Sequence, residues 1–361
     1  MTPEAGRAMR AVVVHGPQDV RIDVRPCPVP GEGEVLLAME WGGICGSDVA
    51  YWKHGASGTA ALRHPLVLGH EVAGRVAAVG AGTGGRLETG QPATVHPAEL
   101  VGDGRLPDRI AGRTNLYPEV RYFGSAAFDP HTDGGFSEYR VVRADRIRPL
   151  PEGVSTEHGA LAEPLAVAMH AVHRAGDIRG RTVLVNGAGP IGSLVVAAAK
   201  YGGAAAVIAA DLSPPSLAVA RAMGADETVD IAAGEVLPTD VEVTFEASGA
   251  PAALGPVLRS TARGGTIVQV GNLPGAAVSA ALGDLVTREI TWIGSYRFVE
   301  EIDDALRAMR EGLDVSPLIT HRFPLAAAHE ALSVAADPAS GSSKVLLRLG
   351  GGDNKGYSQV S

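Results

Sequence analysis

The stretch "TVLVNGAGPIGSLVVAAAKYGGAAAVIAAD", Thr182 to Asp211, decides the fold. A β-branched run from Val183 to Val185 leads into Gly187, Gly189 and Gly192 in G-x-G-x-x-G spacing, and an apolar, Ala-rich segment from Ile191 to Ala199 follows. Strand, glycine turn and helix in that order form a dinucleotide fingerprint. The first glycine permits the tight turn, the second lets a pyrophosphate approach the backbone, and the third lets the helix pack closely. The N-terminus of that helix, with Pro190 just before it and Ile191 opening it, then offers free N–H groups to phosphate oxygens. A second apolar strand ends in Asp211, 19 residues past Gly192, where an acid meets the adenosine ribose hydroxyls. A carboxylate there repels a 2′-phosphate, and Leu212 and Ser213 supply no arginine to receive one, so NAD is predicted over NADP.

Downstream, "VEVTFEASG", "GGTIVQVGN" and "EITWIGS" continue the alternation of β-branched runs with helical stretches, the pattern of βαβ units around a buried parallel sheet. Upstream, from Arg10 to about Ala144, short alternating strands broken by glycine and proline predict an irregular β-rich domain. After Val299 come a charged amphipathic helix, "EEIDDALRAMREG", then "ITHRFPLAAAHEALSVAA" and a strand, "SKVLLRL". These are too few for a third domain and are expected to pack back onto one of the first two.

The chain of 361 residues is long enough for two cores, and its 45% hydrophobic and 20% charged residues are those of an ordinary globular protein. A net charge of -9 without a basic stripe argues against nucleic acid as a partner. No apolar run is long enough to span a bilayer and no signal-peptide core opens the chain, which excludes a membrane partner and predicts a cytoplasmic location. The two cysteines, Cys27 and Cys45, are too few for a disulfide scaffold. Cys27, between prolines in "RPCPVP", reads as a small hydrophobe.

Cys45 reads differently. It lies in "GGICGSD", while His70 and Glu71 lie in "HPLVLGHEV" and Glu163 in "LAEPLAVAMHA". One thiolate, one imidazole and one or two carboxylates suit a catalytic zinc, which takes three protein ligands and keeps a fourth position open. Taken singly, Cys45 reads as a buried hydrophobe, a redox sensor or half of a disulfide, His70 as a satisfied polar group in a turn, and Glu71 and Glu163 as solvated acids.

With "GGICGSD", "GHE", "TDGGFSEY", "EPLAVAMHA" and "NGAGPIG" in that order over nearly its whole length, the chain resembles the zinc-dependent medium-chain dehydrogenases. "CGSDVAYWKHG", "RYFGSAAFDPHTDGGFSEY" and "GSYRFVEEID" make it look like their polyol branch, which contains sorbitol and L-idonate 5-dehydrogenases. The resemblance implies an α/β protein. A GroES-like β-barrel catalytic domain would comprise residues 1–156, completed by 300–349, with a doubly wound Rossmann domain inserted at 157–299 and a flexible tail at 350–361. It further implies Cys45 and His70 as zinc ligands, Glu71 as the third, and Glu163 either ligating directly or holding the zinc-bound water. Ser47 matches the hydroxyl that passes the substrate proton outward, and Asp48 the acid that fixes the His70 tautomer. Tyr51 and Arg297, with His131 behind them, are the candidates for gripping a polyol or sugar acid.

The implied reaction is reversible oxidation of a secondary alcohol: zinc acidifies the hydroxyl and hydride passes to the nicotinamide. The implied assembly is a homodimer or homotetramer. One departure stands out. Many relatives bind a structural zinc through four cysteines in a lobe, and here those positions fall on Val101, Gly104, Pro107 and Asn115, so one zinc per subunit is predicted. Two other readings compete: a zinc-free enone or quinone reductase, which would lack the Cys, His and Glu set, and a non-catalytic redox sensor that binds NAD or a sugar. A cyclic polyol or another secondary alcohol is the alternative substrate.

Overall fold

The computed structural model describes residues 7–85 and 87–350, so the expected flexible tail lies outside the described residues except for Gly350. Strands β1 (Glu34–Gly43), β2 (Glu71–Val79), β3 (Pro92–Val95), β4 (Tyr139–Arg143) and β5 (Ile147–Pro149) form one large sheet. A second comprises β6 (Thr182–Asn186), β7 (Ala206–Asp211), β8 (Glu227–Asp230), β9 (Val241–Glu246), β10 (Thr261–Gln269) and β11 (Thr291–Gly294). The chain then returns to the first sheet with β12 (Ile319–Pro324) and β13 (Lys344–Arg348).

The second sheet is parallel throughout, in the order β8-β7-β6-β9-β10-β11. Its central strands are covered on both faces, which is why Val183, Leu184 and Val185 form a continuous apolar run rather than an alternating one. The order reverses beside β6, so a crevice opens beyond its carboxyl end, the usual ligand position in such sheets. β6 runs one residue beyond the expected strand at each end. Helix α3 (Pro190–Tyr201) starts one residue before the expected Ile191, because a proline at the first helical position gives up an N–H that has no intrahelical acceptor.

The first sheet runs β5-β3-β2-β1-β13-β12, with β4 also pairing with β1. Its register sets up the site: β1 lies between β2 and β13, with Gly43 opposite Glu71 on one side and Leu346 on the other. Helix α1 (Gly46–His54) follows β1 directly. Helix α2 (Ala162–Ala175) joins the two sheets, packing against α3 and against α4 (Glu301–Arg310), whose apolar face buries Ile302, Ala305 and Leu306. One apolar cluster runs from Leu194 and Val195 of α3 through Leu165 of α2 to Leu346 of β13, so the two parts share a core. Among the described residues no helix is long and apolar enough to cross a membrane.

Candidate active site and metal centre

Three elements converge on one point. Cys45 caps the N-terminus of α1, His70 ends the loop before β2, and Glu71 opens β2; their ligand atoms lie within 4.8 Å of one another. The glycines of "GGICG" make this possible. A Cβ on Gly43 would collide with the Glu71 carboxylate, and one on Gly42 would sit 2.6 Å from the Phe136 ring. Asp48, fully buried, ties the two segments together: it accepts from the Cys45 N–H at 2.9 Å and from the Gly69 N–H at 3.1 Å. Its hydrogen bonds thus go to backbone amides, and it acts on His70 through charge.

The site is crowded with negative charge. Burial pushes the Asp48 and Glu163 carboxyls up, with Glu71 adding repulsion to both. Burial also disfavours a charged His70, but the Cys45 thiolate, Asp48 and Glu163 outweigh it and hold the imidazole well above its ordinary value. One thiolate, one imidazole and one carboxylate, buried together in a surplus of negative charge, are the donor set and field that a zinc ion requires. The residues therefore fit the group.

Lys344 was not anticipated. From the start of β13 its buried Nζ donates to both Glu71 oxygens at 2.7 Å and to the Ile44 carbonyl at 3.2 Å. Burial opposes its charge, yet Glu71 and Cys45 keep its pKa above the ordinary lysine value. Its signal in the sequence was a lone cation opening an apolar strand.

Glu163 lies on the first turn of α2, where its carboxylate accepts from the Tyr122 hydroxyl at 2.6 Å. Burial and the Glu163 charge hold the Tyr122 phenol well above its usual pKa, so it remains the donor. The Arg297 guanidinium stacks on the Tyr122 ring, 4.2 Å from its centroid. Arg297, which follows the last strand of the parallel sheet, thereby brings the nucleotide domain to Glu163. Its backbone takes φ 51, a conformation most side chains avoid. Ser47 is half-buried on the first turn of α1. Tyr51 is buried, with its hydroxyl accepting from the Ala126 N–H at 2.9 Å. His131 stacks on His64 at 3.8 Å, and its Nε2 and Nδ1 bond to Arg63 and Phe128 backbone.

On the nucleotide side, Gly187 adopts φ 94, and a Cβ there would meet the Ser248 N–H at 2.5 Å. Gly192 packs on the carbonyl of Gly187, while Gly189 faces open space at the N-terminus of α3. Asp211 spans the turn, accepting from Ala188 N–H at 2.6 Å and Ser213 N–H at 2.8 Å. Glu246, fully buried at the end of β9, organises the neighbouring loops by accepting from the Ser248 and Gly249 amides and the Gln269 side chain. An apolar strand that ends in an acid was its only trace in the sequence.

The cysteine-free lobe is held by local polar contacts, among them Tyr117 Oη donating to the Gly104 carbonyl and the Val101 amide bonding to the Glu119 carbonyl. Asn115 turns inward, and its Nδ2 donates to the Tyr296 carbonyl at 2.6 Å. Cys27 is buried against Leu36 and Ala77 as a small hydrophobe, and burial raises its thiol pKa.

Comparison with known proteins follows the same lines. Residues 31–152 match the family model of the alcohol dehydrogenase GroES-like domain, and residues 190–311 that of zinc-binding dehydrogenases. The chain is 36% identical over 334 residues to L-idonate 5-dehydrogenase (NAD(P)(+)) of Escherichia coli, covering 91% of this chain and 95% of that one. It is 40% identical over 336 residues to sorbitol dehydrogenase of Gallus gallus, covering 89% and 91%. The crystal structure of the Escherichia coli L-idonate 5-dehydrogenase superposes with a TM-score of 0.87 at 35% identity, over 95% of this chain and 99% of that one.

Proposed function

Because the chain belongs to the zinc-dependent medium-chain dehydrogenases, in their polyol branch, we propose that it interconverts a secondary alcohol of a polyol or sugar acid and the matching ketone, using NAD. The observation that carries this reading is the buried Cys45, His70 and Glu71 cluster, with Glu163 beside it and linked through Tyr122 to Arg297 of the nucleotide domain. A zinc ion bound there supplies Lewis acidity toward the substrate hydroxyl, and NAD supplies the hydride acceptor.

In this reading Cys45, His70 and Glu71 are the ligands. Glu163 is a hydrogen-bonding carboxylate fixed by Tyr122, since it stands apart from the three clustered donors. Asp48 locks the two ligand-bearing segments, and Ser47 passes the substrate proton from the buried cluster toward solvent. Arg297 grips a distal hydroxyl or a carboxylate of the substrate. Tyr51 keeps its O–H as a donor to a polyol hydroxyl while its oxygen accepts from Ala126. The turn at Gly187, Gly189, Pro190, Ile191 and Gly192 holds the pyrophosphate, and Asp211 selects NAD over NADP. The lobe offers no thiolate, so each subunit holds one zinc. We place the enzyme in the cytoplasm as a homodimer or homotetramer, by analogy with the family.

The test pairs metal analysis with a substrate panel. About one zinc per chain is expected, with NAD reduction on one or more of L-idonate, sorbitol, xylitol and inositols. A protein that neither contains nor takes up zinc, or that oxidises only simple primary alcohols, would overturn the proposal.

A further inference from the structure

We infer that Asn115, in the cysteine-free lobe, is the positioning residue that holds the Tyr296–Arg297 backbone and so aims the Arg297 guanidinium; this rests on the proposed role of Arg297 at the substrate. Three observations carry it.

The first is a hydrogen-bond chain crossing three parts of the fold. Glu301, at the start of α4, accepts from His170 Nδ1 of α2 at 2.8 Å. That contact fixes the orientation of the His170 ring and turns its Nε2 toward Asn115. Asn115 Nδ2 faces His170 Nε2 at 3.5 Å and donates to the Tyr296 carbonyl at 2.6 Å. Both N–H bonds of the amide are thus directed, and its orientation is set from behind. The second is burial: Asn115 is 6% exposed, and its Oδ1 has no hydrogen-bond partner among the described residues. An amide that leaves a buried oxygen unpaired, at a real cost, is held where it is by its two donors.

The third is what those donors act on. Residues 294–301 bridge the last parallel strand and α4, and this bridge is held at several points, from α2, from the catalytic domain and from within itself. Arg174 donates to the Gly294 carbonyl at 3.2 Å, His96 bonds the Val299 carbonyl at 2.8 Å, and Glu301 accepts from the Val299 N–H at 2.6 Å. Asn115 is the grip next to Arg297, the residue held at φ 51 over the Tyr122 ring. Without that bond Arg297 is freed to relax toward an ordinary backbone conformation, and its stacking with it. Where the resemblance places a fourth zinc cysteine in relatives, this chain carries a polar strut that reaches the substrate arm.

The test uses the zinc-loaded full chain, with L-idonate and sorbitol as probes. Asn115→Asp keeps the side-chain volume and removes both N–H donors; Asn115→Ala removes the group. Amide exchange over residues 294–298 is expected to quicken about tenfold in Asn115→Asp, the loss of one net hydrogen bond, while the β6 and β7 amides stay unchanged. The KM for the polyol or sugar acid should rise about tenfold, with the KM for NAD within about twofold. Arg297→Ala should raise the same KM, and adding Asn115→Asp to it should change nothing further, since the two act in series. Unchanged exchange, or effects that multiply in the double variant, would overturn the positioning role while leaving Arg297 at the substrate. An Arg297→Ala variant with wild-type KM would instead remove the substrate reading of Arg297, and the inference built on it.

Discussion

Two alanine substitutions within one turn should fail in opposite ways. Gly192 and Gly189 stand three residues apart, yet a methyl group would meet different surroundings at each. At Gly192 a Cβ would overlap the Gly187 carbonyl oxygen and lie 2.9 Å from its carbon, whereas normal carbon contact needs about 3.5–4.0 Å. The helix and turn must therefore separate by roughly 1 Å, an overpacking cost of about 1–3 kcal/mol. At Gly189 nothing lies within 4 Å, and the backbone, φ -61 and ψ -175, suits any residue. The free protein should lose less than about 1 kcal/mol there, the difference between glycine and alanine as a helix N-cap. The new methyl would occupy the space in front of α3 where a pyrophosphate must come close. Losing one or two charge-assisted hydrogen bonds amounts to about 3 kcal/mol, or roughly 100-fold in the NAD dissociation constant. Thermal unfolding and NADH fluorescence titration separate the two: Gly192→Ala should be destabilised, and Gly189→Ala near wild type in stability but defective in binding. If Gly189→Ala binds NAD within about threefold of wild type, the dinucleotide does not lie over this turn and the reasoning fails.

Other expectations follow from the metal site and from the bridge that ends at Glu301. Cys45→Ala should lose zinc and turnover while keeping NAD affinity, as metal analysis and the same titration would report; surviving turnover would remove Cys45 from the ligand set. Lys344→Met leaves Glu71 buried without its cation and should cost the metal-free protein about 3–5 kcal/mol in urea unfolding. The loss should be smaller with zinc bound, because the ion then faces Glu71, and an equal loss in both states would mean that Glu71 does not meet the metal. At the end of the bridge, Glu301 raises the His173 pKa, so this contribution is full below about pH 6.5 and fades as pH climbs through the raised value. The partner's shift has the opposite sense: against the cost of burial, His170, His173 and the Val299 amide hold Glu301 low, so its share is present above about pH 4.3 and lost only in stronger acid. His173 is half-exposed, so replacing it with asparagine should cost only about 0.5 kcal/mol at pH 6 and less at pH 9, read as the gap in melting temperature from wild type.

The parts that were legible in the sequence share a cause: they lie close together along the chain, or carry a residue type that is costly to place by chance. The turn at Gly187 to Gly192 and the acid Asp211 belong to one βαβ unit, where strand, turn and helix each leave a periodic trace. Cys45 drew attention because thiols are scarce, and His70 and Glu71 because they adjoin one another. Lys344, Tyr122 and Asn115 act across long separations, and no local pattern points to their partners. The contact of Lys344 with Glu71 spans 273 residues and exists because β13 pairs with β1, a strand pairing that hydrophobic periodicity cannot specify. Tyr122 and Asn115 come from irregular segments, where side-chain direction depends on turns rather than on a period of two or 3.6. Asp48, whose charge acts on His70, also bonds two amides that the sequence did not point to, because a fully buried carboxylate takes the fixed N–H donors that the cap of α1 and the Gly69 turn present.

The pairing of β13 with β1 also fixes an order of events. Glu71 is made before the parallel sheet, but the cation that accompanies it in the metal-free cage lies 273 residues later, after the whole of that sheet. Until then the nascent metal site carries its negative charges without Lys344, and closing so long a loop depends on the intervening domain having already folded to shorten it. A strand that adds only a few rungs to a sheet thus times the maturation of the centre it borders: the balanced, metal-free cage is complete only after the parallel sheet between its two halves has been made.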